Sequence, residues 1–79
     1  MNVVYGIVEE IYSIGNKSRI SYGIVALANV DDNNTSTIIA SVHDITSEKN
    51  KLQNLVGLCN KLELSPIHLN SVVQDFLVE

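Results

Sequence analysis

Cysteine, proline and tryptophan are almost missing from this chain, and basic residues are few. There is one cysteine, one proline, one phenylalanine and no tryptophan. A single cysteine allows no internal disulfide and no cysteine-rich zinc module. One phenylalanine and three tyrosines give little material for an aromatic ligand cage. Five Lys and Arg stand against nine Asp and Glu, for a net charge of −4. That balance argues against nucleic acid as a partner, because phosphate contacts need clustered basic side chains. It argues equally against an anionic membrane surface. No apolar run approaches the length of a membrane span. The start of the chain has no basic stretch, and Glu9 and Glu10 cut its apolar run, so no signal peptide is expected. With a free Cys59, a reducing cytoplasm is the expected location.

What is present is apolar. Of 79 residues, 46% are hydrophobic, enough for one small domain over residues 1–79 and not for two. A chain of this size buries roughly 60–65% of the surface that its unfolded form exposes.

The first half is written in strand chemistry. Residues 3–14 are rich in β-branched and aromatic types, with Val3, Tyr5, Ile7 and Ile11 on one face and Val4, Val8 and Tyr12 on the other. Gly15, Asn16, Lys17 and Ser18 read as a turn, because Gly and Asn tolerate positive φ. Residues 19–30 and 37–45 read as further strands, separated by the loop signal Asp31-Asp32-Asn33-Asn34-Thr35-Ser36. That acidic loop has the look of a calcium site. It lacks the glycine and the closing glutamate that such a loop needs, and is read as a turn. Tyr5-Gly6-Ile7-Val8 recurs as Tyr22-Gly23-Ile24-Val25. This reads as shared packing chemistry, with the glycines marking a bulge or a close approach to a helix.

The second half is written in helix chemistry. A helix is expected over 47–62, capped by Thr46 or Ser47, with Leu52, Leu55, Val56, Cys59 and Leu62 as its apolar stripe. Gly57 within it is expected to allow close packing on the sheet. Ser65-Pro66 opens a second helix over 66–77, with Leu69, Val72, Val73, Phe76 and Leu77 on one face. The expected fold is therefore α+β: a three-stranded antiparallel meander, then two helices packed on one sheet face.

The titratable candidates are His43, Asp44, Cys59, His68 and Asp75. His43 and Asp44 are neighbours on a strand and are expected to point to opposite faces. His68 and Asp75 share a helix face roughly 10 Å apart, too far for direct contact. A metal site joining His43 and His68 through Asp44 or Cys59 is conceivable, but no ligand spacing supports it. Cys59 on the apolar stripe reads as a small buried hydrophobe. No nucleophile elbow and no phosphate loop is present, so neither an enzyme nor a cofactor is expected.

Two resemblances bear on function. Val42 to Lys49 resembles the close of a PAS sensor domain, where a strand ending in Asp-Ile-Thr leads into a helix. It would imply a small-ligand sensor, but PAS domains place helices between their strands, and this chain has no helical pattern before residue 46. Over most of its length the chain is similar to a family of short proteins of unknown function typical of anaerobic, spore-forming Firmicutes (clostridial-type). Tyr22-Gly23-Ile24, Asp44-Ile45 and Cys59-Asn60 carry the likeness. So does the block Leu64-Ser65-Pro66-Ile67-His68-Leu69 with Val72-Val73 and Asp75-Phe76-Leu77. That resemblance implies a cytoplasmic accessory protein and brings no activity. Asn60 could close its helix in the left-handed region. Packing leaves the polar set Asn60, His68 and Asp75 unexplained, so a functional surface is sought there and at His43 and Asp44.

The expected function is a non-catalytic interaction or regulatory module. Both faces of the first strands are apolar, yet two helices cover one face only. A protein partner or a second copy should bury the other, through Val4, Val8 and Tyr12 or through strand edges. The remaining alternative is a small hydrolase-type enzyme using His68 and Asp75.

Overall fold

The computed structural model describes residues 3–29 and 36–78. Strand β1 spans Val3–Ile14, β2 spans Lys17–Asn29 and β3 spans Ser36–Thr46. Helix α1 (Lys49–Lys61) follows, then a 3₁₀ turn over Pro66–His68 and helix α2 (Leu69–Leu77). The strands form one antiparallel sheet in the order β1-β2-β3. This is the expected α+β meander with its helices last. Of the expected loop over residues 31–36, residues 31–35 lie outside the described residues and Ser36 already begins β3.

β1 and β2 pair without interruption from Val3–Ala28 to Ile14–Lys17. Their two-residue turn is Gly15-Asn16, and of these two only Gly15, at φ +61°, uses the left-handed region. Glycine first and asparagine second is the sign pattern of a type II′ turn, whose twist matches that of the strands. β2 therefore starts at Lys17, two residues earlier than expected.

Period-two alternation sorts the sheet into two faces. Tyr5, Ile24, Ala26 and Ile45 meet Leu52, Val56 and Cys59 of α1 and Leu69 and Val73 of α2 in one buried cluster. Both helices thus lie on the face of Val3, Tyr5 and Ile7, and the core fills the space between sheet and helices. The apolar stripes of both helices point inward as their spacing predicts, except that Leu62 and Leu77, at the helix ends, are exposed.

The helix ends differ from expectation. The N-cap of α1 is Glu48, which makes no side-chain cap, rather than Thr46 or Ser47. The Thr46 hydroxyl still accepts the Glu48 N–H at 3.1 Å, two residues on. At the C-terminus the left-handed residue is Glu63 (φ +51°), not Asn60. The Glu63 N–H donates to the Asn60 carbonyl at 3.2 Å and the Leu64 N–H to the Cys59 carbonyl at 3.0 Å. This is a Schellman closure, and it turns Leu64 back onto the core. Gly57 is not pressed against the sheet: a methyl group there would meet nothing within 4 Å. The second helix begins with a 3₁₀ turn, in which the His68 N–H donates to the Ser65 carbonyl at 2.9 Å.

Candidate functional site

The two repeated glycines have unlike surroundings. At Gly6 an added methyl group would meet only the Val25 side chain, at 3.9 Å. At Gly23 it would strike the Val42 carbonyl oxygen and lie 2.9 Å from the His43 Cα. Gly23 is the place where β3 folds over β2. Pairing steps from Ile24–Val42 to Tyr22–Thr46, so β3 spends two extra residues there. Asp44, inside this bulge, takes φ +54°, a conformation that Asp tolerates better than most residues. The close approach is to a neighbouring strand and not to a helix.

The bulge decides where His43 and Asp44 point. In regular strand they would face opposite sides. Here both reach the face turned away from the helices. Arg19 donates from Nη1 and Nη2 to Asp44 Oδ1 and Oδ2 at 2.9 and 3.0 Å, a two-pronged ion pair. The buried Ser21 hydroxyl donates to Asp44 Oδ1 at 2.6 Å. These bonds, with Arg19 first and Ser21 second, lower the Asp44 pKa to about 2. The Arg19 guanidinium also lies 4.8 Å from the centre of the Tyr12 ring. Burial first, then the charges of Glu10 and Asp44, push the Tyr12 phenol above its usual value. His43 Nδ1 meets Glu10 Oε1 at 2.6 Å, reaching from β3 to β1 across the side-chain-free Gly23.

The result is a fixed polar group of Glu10, Tyr12, Arg19, Ser21, His43 and Asp44. Its cationic Arg19 is taken up by Asp44, so it offers no unpaired positive charge to a phosphate. Among the described residues, no three His, Cys, Asp or Glu side chains are grouped to hold a metal ion. A centre joining His43 and His68, which ligand spacing did not support, is not found among them. Sequence spacing pointed to His43 and Asp44 but passed over Arg19, Ser21 and Glu10. Strand parity alone would have placed those three on one face; the turn of Asp44 onto it would not have been found.

The second candidate group does not come together as a site. The Asn60 side chain is committed to the sheet. Its Oδ1 accepts the Tyr5 N–H at 2.7 Å, and its Nδ2 donates to the Tyr5 carbonyl at 3.0 Å. The amide thus stands in for one residue of a further strand on the outer edge of β1. The Tyr5 hydroxyl donates to the Leu64 carbonyl at 2.5 Å beside it. His68 lies exposed in the 3₁₀ turn and Asp75 exposed on α2. Cys59 is buried, and that burial raises its thiol pKa, so it sits in the core as expected for a small hydrophobe.

Two surface grooves flank the helices. One, of about 610 Å³, runs between α1 and α2 and is lined by Leu55, Leu58, Phe76 and Leu77 with polar residues around Glu48. The other, of about 670 Å³, lies at the β1 edge beside Asn60 and Pro66. Both open to solvent; neither is the enclosed space between sheet and helices that a sensor of PAS type would use. Among the described residues no helix is long and apolar enough to cross a membrane.

Comparison with known protein families gives a match over the whole chain. A family model described as a family of unknown function, DUF6514, aligns with residues 1–79. No curated protein and no solved structure matches the chain.

Proposed function

The chain belongs to that family of unknown function, and we propose that it works as a non-catalytic interaction module, docking a partner protein on the sheet face that the helices leave bare. The observation behind this reading is a row of apolar side chains in register across all three strands. Val4 pairs with Leu27, and Leu27 with Ile38. Val4 is 55% exposed and Ile38 61%. Half-buried Val8 extends the same face, above buried Val25, toward the polar group of Glu10, Arg19, His43 and Asp44. Apolar surface beside prearranged polar groups is the make-up of a protein-binding patch, and holding those polar groups in place lowers the ordering cost of association. Of the expected contact residues, Val4 is the most open, while Val8 and Tyr12 are half-buried.

The test is affinity capture with three forms of the protein: wild type, Ile38→Lys on the bare face, and Ile67→Lys on the helical side. Proteins retained by wild type and Ile67→Lys but lost with Ile38→Lys support the reading. The same set on all three removes it.

A further inference from the structure

The outer edge of β1 carries an observation that the bare face does not explain. Because Asn60 binds both peptide groups of Tyr5, Tyr5 turns its N–H and C=O outward. Peptide direction alternates along a strand, so Ile7, Glu9, Ile11 and Ser13 also present theirs to the outside. Among the described residues no backbone partner meets them. The two edges of the sheet are managed differently. β3 is broken by bulges at two places, a common guard against pairing. β1 runs through twelve regular pairs with no bulge.

The outer end of the β1–β2 hairpin also reaches past the helices with its apolar residues open. Ile11 is 67% exposed, Ile14 79% and Ile20, the partner of Ile11, 46%. None of the three belongs to the core.

We infer that β1 pairs antiparallel with β1 of a second copy of this chain, about a two-fold axis at Ile11, to give a continuous six-stranded sheet. The charges, together with the Tyr5 groups that Asn60 holds and that registers centred at Ile7 or Val8 would need, select this register. A two-fold at Glu9 or Glu10 would set like carboxylates opposite each other, which is destabilising. One at Ile7 would need the Tyr5 groups that Asn60 already holds. One at Tyr12 would set Glu10 against Ile14. A two-fold at Ile11 sets Ile11 against Ile11, Val8 against Ile14, Glu9 against Ser13 and Glu10 against Tyr12. It opposes no like charges despite the net charge of −4. It also lines up Ile20, Ile11 and their two copies in one apolar row on the helix side of the sheet, and so covers what the hairpin leaves open. An isologous contact of this kind closes on itself and ends at the dimer.

This surface is separate from the bare face, and sedimentation equilibrium tells the two apart. Wild type at tens of micromolar is expected at twice the 8.7 kDa chain mass. Ile11→Lys and Ile11→Glu, each placing like charges on the axis, are each expected at 8.7 kDa. An equimolar mixture of the two is expected to return to the dimer mass, since Lys then faces Glu. A monomeric wild type overturns the inference. So does a dimer that survives both substitutions, or a mixture that stays monomeric. A dimer lost with Ile38→Lys but kept by Ile11→Lys would assign self-association to the bare face instead and overturn the edge pairing.

Discussion

Asp44 concentrates the chemistry of the bare face in one residue. It takes a left-handed backbone, closes the bulge over Gly23, and accepts from Arg19 and Ser21. Its carboxyl titrates near 2 in the fold against 3.8 ordinarily. A folded-state pKa below the unfolded one means stability that is fully present above 3.8 and lost as pH falls toward 2. Asp44→Asn keeps the backbone tolerance and a hydrogen-bond acceptor for Ser21, and removes the charge. Thermal melting should show the Asp44→Asn variant less stable than wild type at pH 7, with the gap closing as pH drops through that window. A gap that stays constant with pH would contradict the ion pair. Sequence parity placed His43 and Asp44 on opposite faces because parity assumes a regular strand. The bulge that reverses this depends on how β3 meets Gly23, a contact between residues about twenty apart that local pattern does not carry.

At the scale of single elements, Gly57 and Gly23, two of the three glycines outside turns, make a matched experiment. Gly57 sits in mid-helix with open space around it, so Gly57→Ala should stabilise the protein by about 1 kcal/mol. Gly23 has backbone where a methyl group would go, and Gly23→Ala should cost about 1–3 kcal/mol. Denaturant midpoints measure both, and equal effects would refute the assignment. Asn60→Ala removes two hydrogen bonds to Tyr5 and should cost about 1–3 kcal/mol on the same measurement. The strands and both helices were legible in the sequence because period-two and helical spacing hold over most of each element. So was the Ser65-Pro66 start, with Ser65 as the N-cap and Pro66 first in the turn, but the two ends of α1 were not. Thr46 reads as an N-cap, yet it still belongs to β3, and the helix begins only at Lys49. Asn60 reads as a helix terminator, yet its side chain answers a strand 55 residues earlier. The polar group at Asn60, His68 and Asp75 fell apart for the same reason: its most informative member has a structural partner that spacing cannot reveal.

For the whole molecule, the fold leaves two surfaces with different needs. The bare face has apolar residues and a fixed polar group; the β1 edge has unpaired peptide groups and exposed isoleucines. If the edge pairs with a second copy, melting becomes coupled to association. The melting temperature of wild type should then rise with protein concentration, and that of Ile11→Lys should not. The core gathers Tyr5 with Ile24, Ala26, Ile45 and the apolar stripes of both helices on one face of the sheet, while Val4, Ile11, Ile14 and Ile38 stay exposed.

The grip of Asn60 on Tyr5 also sets an order of events during synthesis. The ribosome delivers all three strands before it delivers residue 60. Until then Tyr5 has no edge cap and α2 has not been made, and a nascent chain shows both a naked strand border and part of the future core. A chain stopped at Leu58 should therefore collect in insoluble material, while the 79-residue chain caps Tyr5 of its first strand with a residue made long after it.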